Sequence, residues 1–408
     1  MTRKPRTGDT PLYHWLRVSS NRVAPISPQS RDLLALTLIP GLGPVRIDRL
    51  IQAAGSPGQV MSMSLNQLTR VSGIGSRTAG SIVESRATVA DRVEQELDKL
   101  INAGASIVSV FDDGYPSLLK ATPTAPPILQ YKGSLESMNH RHPIAMVGSR
   151  KCTIYGHEQA ARFAKSLSAS GMCVVSGGAR GVDSAAHKGA MDAGGQTVVV
   201  LGCGLGHVYP SENAELFDRV IDTGGAVISE LPFSTPPSSE NFPARNRIIS
   251  GLSLGVLVVE ASRKSGALIT ATHAVEDHNR EVFAIPGRVD SSASTGSNEL
   301  LKNGAHLVTD PNEIIEILER SAETLKRGAR SLGRAPTNRD ASQAQPSEPI
   351  GEVDPIGKRI LEALQDPLTG DQLAEKLNIE PGQLRAAATM LEIQGRIQRS
   401  GPNFVRTR

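Results

Sequence analysis

The chain reads as an α/β protein with an extended Rossmann-like parallel sheet as its core, an all-α segment before it and a winged helix after it. Two observations carry this reading. The runs Ile144–Val147, Cys173–Val175, Val198–Leu201, Ala226–Ile228, Val256–Val259 and Val282–Ile285 are short, apolar, rich in Val and Ile, and separated by helix-length segments. Strands buried on both faces of a parallel sheet have this pattern. Each run is then followed by a turn that does not suit a core: Gly148-Ser149-Arg150, Ser176 to Gly181, Gly202 to Gly206, Ser229-Glu230, Glu260 through Gly266, and Pro286-Gly287-Arg288. In an open α/β sheet these turns share the edge where ligands bind, with glycines allowing close backbone approach and Arg and Lys supplying positive charge. An anionic ligand is the first expectation.

At 408 residues the chain is too long for one ordinary core, and 39% hydrophobic with 21% charged residues is a globular composition. The formal net charge of +3 means that any basic site must be local. Cys152, Cys173 and Cys203 show no metal-site spacing, so no metal and no cofactor is expected, and they suit a reducing compartment. With no signal-peptide pattern and no apolar run of membrane-spanning length, a cytoplasmic location away from membranes is expected.

Residues 1–28 read as a loosely ordered tail. Residues 29–105 read as helical, with two turns, Ile39-Pro40-Gly41-Leu42-Gly43 and Val71-Ser72-Gly73-Ile74-Gly75, each entering a helix. They resemble tandem helix-hairpin-helix motifs, whose hairpin N–H groups approach a phosphate; a small bundle using glycines only to turn tightly fits equally. Residues 106–320 form the sheet domain, starting with a strand at Ile107–Val110 and a Pro-rich connector, Thr122 to Pro127. Residues 321–352 lack apolar periodicity and read as a flexible basic linker. In 353–408 three short helices and a hairpin turning at Gly401-Pro402-Asn403 look like a winged helix. Such a domain binds duplex DNA through its third helix, here with Gln383 and Arg385 exposed, or serves as a protein-docking module.

The candidate site lies in the turns. Gly148-Ser149-Arg150 occupies the place where a Rossmann protein holds a pyrophosphate, but neither G-x-G-x-x-G nor a P-loop is present there, which disfavours NAD binding and P-loop ATP hydrolysis. Arg150 offers a planar fork for a phosphate and Ser149 a hydroxyl; a surface arginine capping a helix or pairing with a carboxylate is the alternative. Gly177, Gly178 and Arg180 crowd one strand-to-helix turn. Asp183 is placed to cap a helix beginning at Ser184, and His187 one turn on reads as a packed histidine. Arg245 and Arg247 flank Asn246 at a helix start, either binding phosphates or holding Glu230 or Glu260 in an ion pair. Lys264 stands before another helix N-terminus.

Together these stretches closely resemble the DNA-processing protein A family, known as DprA or Smf, over residues 106 to 320. The shared motifs are Gly148-Ser149-Arg150, Ser176 to Asp183, Gly202 to Pro210, Phe242 to Ser253, Lys264 to Thr270 and Pro286-Gly287. The resemblance implies an extended Rossmann fold, a homodimer, single-stranded DNA binding, protection of DNA imported during natural transformation, and delivery of that DNA to the RecA recombinase. It places the phosphate pocket on Ser149 and Arg150, with basic help from Arg180, Arg245, Arg247 and Lys264. Family members often carry a sterile-alpha-motif-like helical domain and a winged helix, matching the flanks.

A nucleotide-processing enzyme is the competing reading, since similar Rossmann cores occur in phosphoribohydrolases. Those carry P-G-G-x-G-T-x-x-E, and Pro286-Gly287-Arg288-Val289 diverges after its second residue, so a binding protein without catalytic residues is expected. Only 3% of residues are aromatic. Binding should therefore rest on backbone phosphates, with Phe242 and Tyr209 as isolated stacking partners. On this reading residues 106–320 alone should form a stable dimer that keeps the site.

Overall fold

The computed structural model describes residues 26–320 and, of 355–406, all but 365–367, 378, 380–383, 385–386, 389–390, 392–395 and 401–402. The expected linker, Gln383, Arg385 and most of the expected tail lie outside the described residues. The last residues of that tail are structured, since Ser27 accepts the Ser30 N–H and caps the helix Pro28–Thr37.

A nine-stranded sheet organises residues 106–320. Its strands are β1 (Ser106–Ser109), β2 (Ile128–Gly133), β3 (Pro143–Val147), β4 (Cys173–Ser176), β5 (Thr197–Val200), β6 (Ala226–Ser229), β7 (Gly255–Val258), β8 (Glu281–Ala284) and β9 (His306–Leu307). They lie in the order β1-β2-β6-β5-β4-β3-β7-β8-β9. From β6 to β9 all pairings are parallel, whereas β2 pairs antiparallel with both β1 and β6. The sheet is therefore mixed, with an antiparallel hairpin added to the expected parallel core. Winding runs from β3 outward to β6, then crosses to β7 on the other side of β3. The crevice between β3 and β7 is thus a topological switch point, where open α/β sheets bind ligands.

Strands β3 to β7 are buried along their whole length, and alternate side chains enter opposite layers. Ile144, Met146, Val174, Leu257 and Phe283 join one cluster with Phe163 and Leu167 of the helix Ile154–Ala169 and Ala186 of the helix Val182–Asp192. Ala145, Val147, Val175, Val198 and Val256 join another with Ile248 and Ile249 of the helix Asn241–Gly251.

Residues 28–102 are helical, as Pro28–Thr37, Pro44–Ala54, Pro57–Val60, Leu65–Thr69, Ser76–Ser85 and Val89–Asn102. The turns before Pro44 and Ser76 are the two glycine hairpins. Gly41 and Gly73 have φ of +83° and +82°, the left-handed region that glycine enters without strain. This helical segment does not stand apart. Leu33, Leu36, Leu50, Leu97 and Leu100 share one continuous core with Val199, Leu201, Leu205, Phe217, Val220 and Val227 of the sheet region. Ser30, buried in the first helix, donates to the Asp112 carboxylate at 3.0 Å. The described residues 26–320 accordingly lie in one compact unit.

This shared core works against the expectation for the 106–320 fragment. Cutting at residue 106 bares Leu201, Leu205, Phe217 and Val220, each worth about 1.5–3 kcal/mol when fully buried. The fragment is expected to unfold at a clearly lower urea midpoint than the full chain, or to aggregate. Equal midpoints would show that the helices merely sit on a finished core.

The described residues of 355–406 lie in a second compact unit. Its helices Pro355–Ala363 and Gly370–Leu377 and a three-stranded sheet, in the order β10 (Leu368–Thr369), β12 (Asn403–Arg406), β11 (Ile397–Ser400), give the expected winged-helix arrangement. Leu384, Ala387, Ala388 and Leu391 pack in its core with Ile360, Leu373 and Phe404. Among the described residues no helix is long and apolar enough to cross a membrane.

Candidate functional site

A cleft of about 410 Å³ opens at the carboxyl ends of β3 to β7. Val147 and Arg150 reach it from β3, Ala179 and Asp183 from the turn after β4, and Tyr209 from the loop after β5. Pro237, Ser238, Ser239, Phe242, Arg245 and Asn246 come from the segment after β6, and Gly266, Ala267, Ile269 and Thr270 from beyond β7. The switch point and the cleft coincide.

Gly148 leaves no room for a side chain, since a Cβ there would lie 2.6 Å from Val182 and 2.9 Å from the Glu260 carbonyl. The next two residues are fixed by backbone bonds: Ser149 N–H donates to the Glu260 carbonyl at 2.7 Å, and Val182 N–H to the Ser149 carbonyl at 3.2 Å. The Ser149 hydroxyl accepts the Lys151 N–H at 3.1 Å and keeps its own hydrogen to donate. Arg150 is thereby turned outward, exposed, with its guanidinium carbon 4.9 Å from the centroid of Phe242. Phe242 in turn packs on Tyr209, with ring centroids 5.2 Å apart. Among the described residues Arg150 has no carboxylate partner. The three side chains form one cation–aromatic–aromatic stack, so Phe242 and Tyr209 are joined, not isolated.

Glu260 reaches the helix start that follows β3, the usual Rossmann place for a pyrophosphate. Its buried carboxylate accepts the Thr153 N–H and hydroxyl at 2.7 and 2.8 Å, at the start of the helix Ile154–Ala169. A protein carboxylate already occupies that positive helix end.

The turn after β4 is built by its own side chains. Asp183 does not cap the helix: Gly181 is the cap, the helix begins at Val182, and Asp183 accepts the N–H groups of Gly177 and Ala179 at 3.2 and 3.3 Å. Burial pushes its carboxyl pKa up, with Arg245 opposing. Asn213 donates to the Gly178 carbonyl at 2.9 Å. Gly177 and Gly178 are buried, and added Cβ atoms would strike the Arg245 guanidinium and Phe217. These glycines let the turn close over the protein's own groups. Arg180 alone extends outward, exposed and paired with the exposed Glu212.

The two arginines after Phe242 are anchored internally. Arg245, 5% exposed, donates through one nitrogen to the carbonyls of Gly177, at 2.8 Å, and of Val200. It forms part of the cleft floor, and burial lowers its pKa to about 10. Arg247 forms an ion pair with Glu230 at 2.5 Å, both mostly buried, and does not line the cleft. Lys264 is exposed beside Arg263, which pairs with Glu299. Asn246 Nδ2 donates to the Gly266 carbonyl at 3.1 Å, joining the helix Asn241–Gly251 to the Lys264 turn. Pro286-Gly287 does not line the cleft, and Asn298 exchanges two 3.1 Å bonds with Gly287.

Thr270, the last residue of the shared motif from Lys264, also lines the cleft, as do Ser238 and Ser239, which no sequence motif marks. His187 is fully buried, its Nδ1 2.7 Å from the Thr197 hydroxyl, which donates to the Val174 carbonyl. The ring is thus the Nδ1–H tautomer, and burial lowers its pKa to about 3. Between the ordinary 6.5 and about 3 the unfolded chain binds a proton that the folded chain does not, so stability should fall as pH falls through that window. Urea midpoints at pH 7 and pH 4.5 should differ less in His187→Asn than in the parent. An equal difference would remove His187 as a source of acid sensitivity.

The family model for DNA recombination-mediator protein A matches residues 106–319. The chain belongs to this family. Models for a SAM-like helix-hairpin-helix tandem and for the DprA winged helix domain match residues 33–87 and 342–401. Protein Smf of Synechocystis is 34% identical over 392 residues, covering 91% of this chain and 98% of the relative. DNA processing protein DprA of Streptococcus pneumoniae is 41% identical over 211 residues, 52% of this chain and 73% of the relative. The X-ray structure of the Streptococcus pneumoniae DNA processing protein A aligns with a TM-score of 0.62 at 33% identity, covering 70% of this chain and 97% of that one. This DprA-family chain thus carries a helix-hairpin-helix segment and a DprA winged-helix domain besides its sheet domain.

Proposed function

We propose that the cleft binds single-stranded DNA, taking backbone phosphates on Arg150, Arg180, Lys264 and the Ser149 hydroxyl, and stacking an unpaired base against Phe242 and Tyr209. The observation that carries this is the Arg150–Phe242–Tyr209 stack at the switch point. A guanidinium without a carboxylate partner beside a paired aromatic surface matches a phosphate with its attached base, and any base has a face to stack. The cleft volume suits one nucleotide unit and is too small for a duplex. Gly148, Gly177 and Gly178 shape the turns, Arg245 lends positive charge to the floor, and Arg247 braces Glu230.

The family name and the relatives' names, which speak of DNA processing and recombination, support this reading. The wider role follows from the family resemblance: a cytoplasmic homodimer that protects incoming DNA during natural transformation and loads RecA on it. Asp183 is the one carboxylate lining the cleft among the described residues, and the N–H groups of Gly177 and Ala179 engage it, which favours binding over turnover. The test is parallel binding of the full chain to oligothymidylate, a duplex of equal length and nucleoside monophosphates. The oligothymidylate should bind most tightly and unchanged in length after long incubation; preference for the duplex, or release of a cleaved product, would defeat the proposal.

A further inference from the structure

We propose that Glu96, on the helix Val89–Asn102, is a positioning residue that holds both walls of the cleft from beneath. It lies between the segments matched by the helical and the recombination-mediator models. The proposal rests on the cleft being the DNA site.

Glu96 is 4% exposed, a burial that a carboxylate tolerates only with good donors. One of its oxygens accepts two: Gln130 Nε2 on β2 at 2.6 Å and the Phe233 N–H at 2.5 Å. Phe233 is a junction. Its carbonyl accepts the Gly206 N–H at 2.8 Å, and the Gly204 N–H donates to the Thr235 carbonyl at 2.9 Å. His207 Nε2 meets the Ser234 carbonyl at 3.1 Å. A Cβ on Gly204 would lie 2.1 Å from the Pro232 carbonyl, so the two loops touch backbone to backbone. The first loop ends in Tyr209, and the second continues through Pro237, Ser238 and Ser239 to Phe242, all on the cleft. A charge-assisted bond from Glu96 to Phe233 therefore fixes the base of the segment that carries both stacking rings. Through this side chain the helical segment reaches the base of both loops.

The test compares the full chain with Glu96→Ala and Glu96→Gln in two measurements. Amide hydrogen exchange at Gly204 and Gly206 needs no DNA. Quenching of an oligonucleotide carrying 2-aminopurine reads stacking on Phe242 and Tyr209. Glu96→Ala should speed exchange at the two glycines by about tenfold or more, the equivalent of one hydrogen bond to a charged group, while amides in β3 and β4 keep their rates. It should also reduce quenching and weaken oligonucleotide binding without changing its salt dependence. Glu96→Gln, which keeps an accepting oxygen, should restore both readings. If Glu96→Ala does not fold, Glu96→Asp, one methylene shorter, takes its place. A variant with lowered melting temperature but parental exchange at Gly204 and Gly206 and parental quenching would overturn the proposal. If the parent binds no single strand, the DNA reading fails by itself, and the exchange measurement still decides whether Glu96 holds the walls.

Discussion

Arg150→Ala is expected to weaken single-strand binding by about tenfold or more on every oligonucleotide sequence alike, because it removes a phosphate contact and one layer of the stack. The slope of log affinity against log salt should flatten by roughly 0.7, the counterion release of one phosphate contact on a single strand. Folding should hardly respond. Arg150 is exposed and has no ion pair among the described residues, and surface changes of this kind move stability by no more than about 0.5 kcal/mol. Arg150→Lys should recover much of the salt slope but not the affinity, since an ammonium replaces the charge without the planar fork that lies over Phe242. A normal slope in a well-folded Arg150→Ala protein would mean that the phosphates are held elsewhere.

Arg245→Ala should behave oppositely. The substitution leaves the carbonyls of Gly177 and Val200 without their donor and leaves buried Asp183 without its nearest positive charge. Removing one member of such a buried charged arrangement costs about 3–5 kcal/mol. The expected result is a large fall in the urea midpoint, and Arg245→Lys should not rescue it, because one ammonium cannot reproduce the fork. A midpoint equal to the parent's, with weaker DNA binding and a flatter salt slope, would return Arg245 to the role of a direct phosphate ligand.

The contrast between these two arginines shows how far the sequence was legible. The six parallel strands β3 to β8 could be read because parallel strands buried on both faces are written as Val and Ile runs, and β1 was legible at Ile107–Val110. β2 could not be read: Gln130 and Lys132 break its apolar pattern, yet both are buried, Gln130 against Glu96. β9, only two residues long, offers no pattern at all. The position of the site followed from the turns at one sheet edge, and Arg150 was singled out there. The charge of Arg245 suits either a phosphate or an ion pair, whereas its spacing points to the core. Arg245 stands three, four and seven residues before Ile248, Ile249 and Leu252, on the buried stripe of its helix, and that periodicity was available. The packing of Phe242 between Arg150 and Tyr209 was beyond reach, since it joins residues from three separate strand ends. The fusion of the helical segment with the sheet was also hidden, because apolar periodicity shows that a face is buried and not what buries it.

Photo-cross-linking of the full chain to an oligothymidylate carrying 5-iodouracil, with the adducts mapped by mass spectrometry, tests the DNA-binding cleft most directly. Adducts on Phe242 or Tyr209, lost in Arg150→Ala, are the expected result. Adducts confined to the glycine hairpins at 39–43 and 71–75, or to residues 355–406, with none on the cleft, would contradict it.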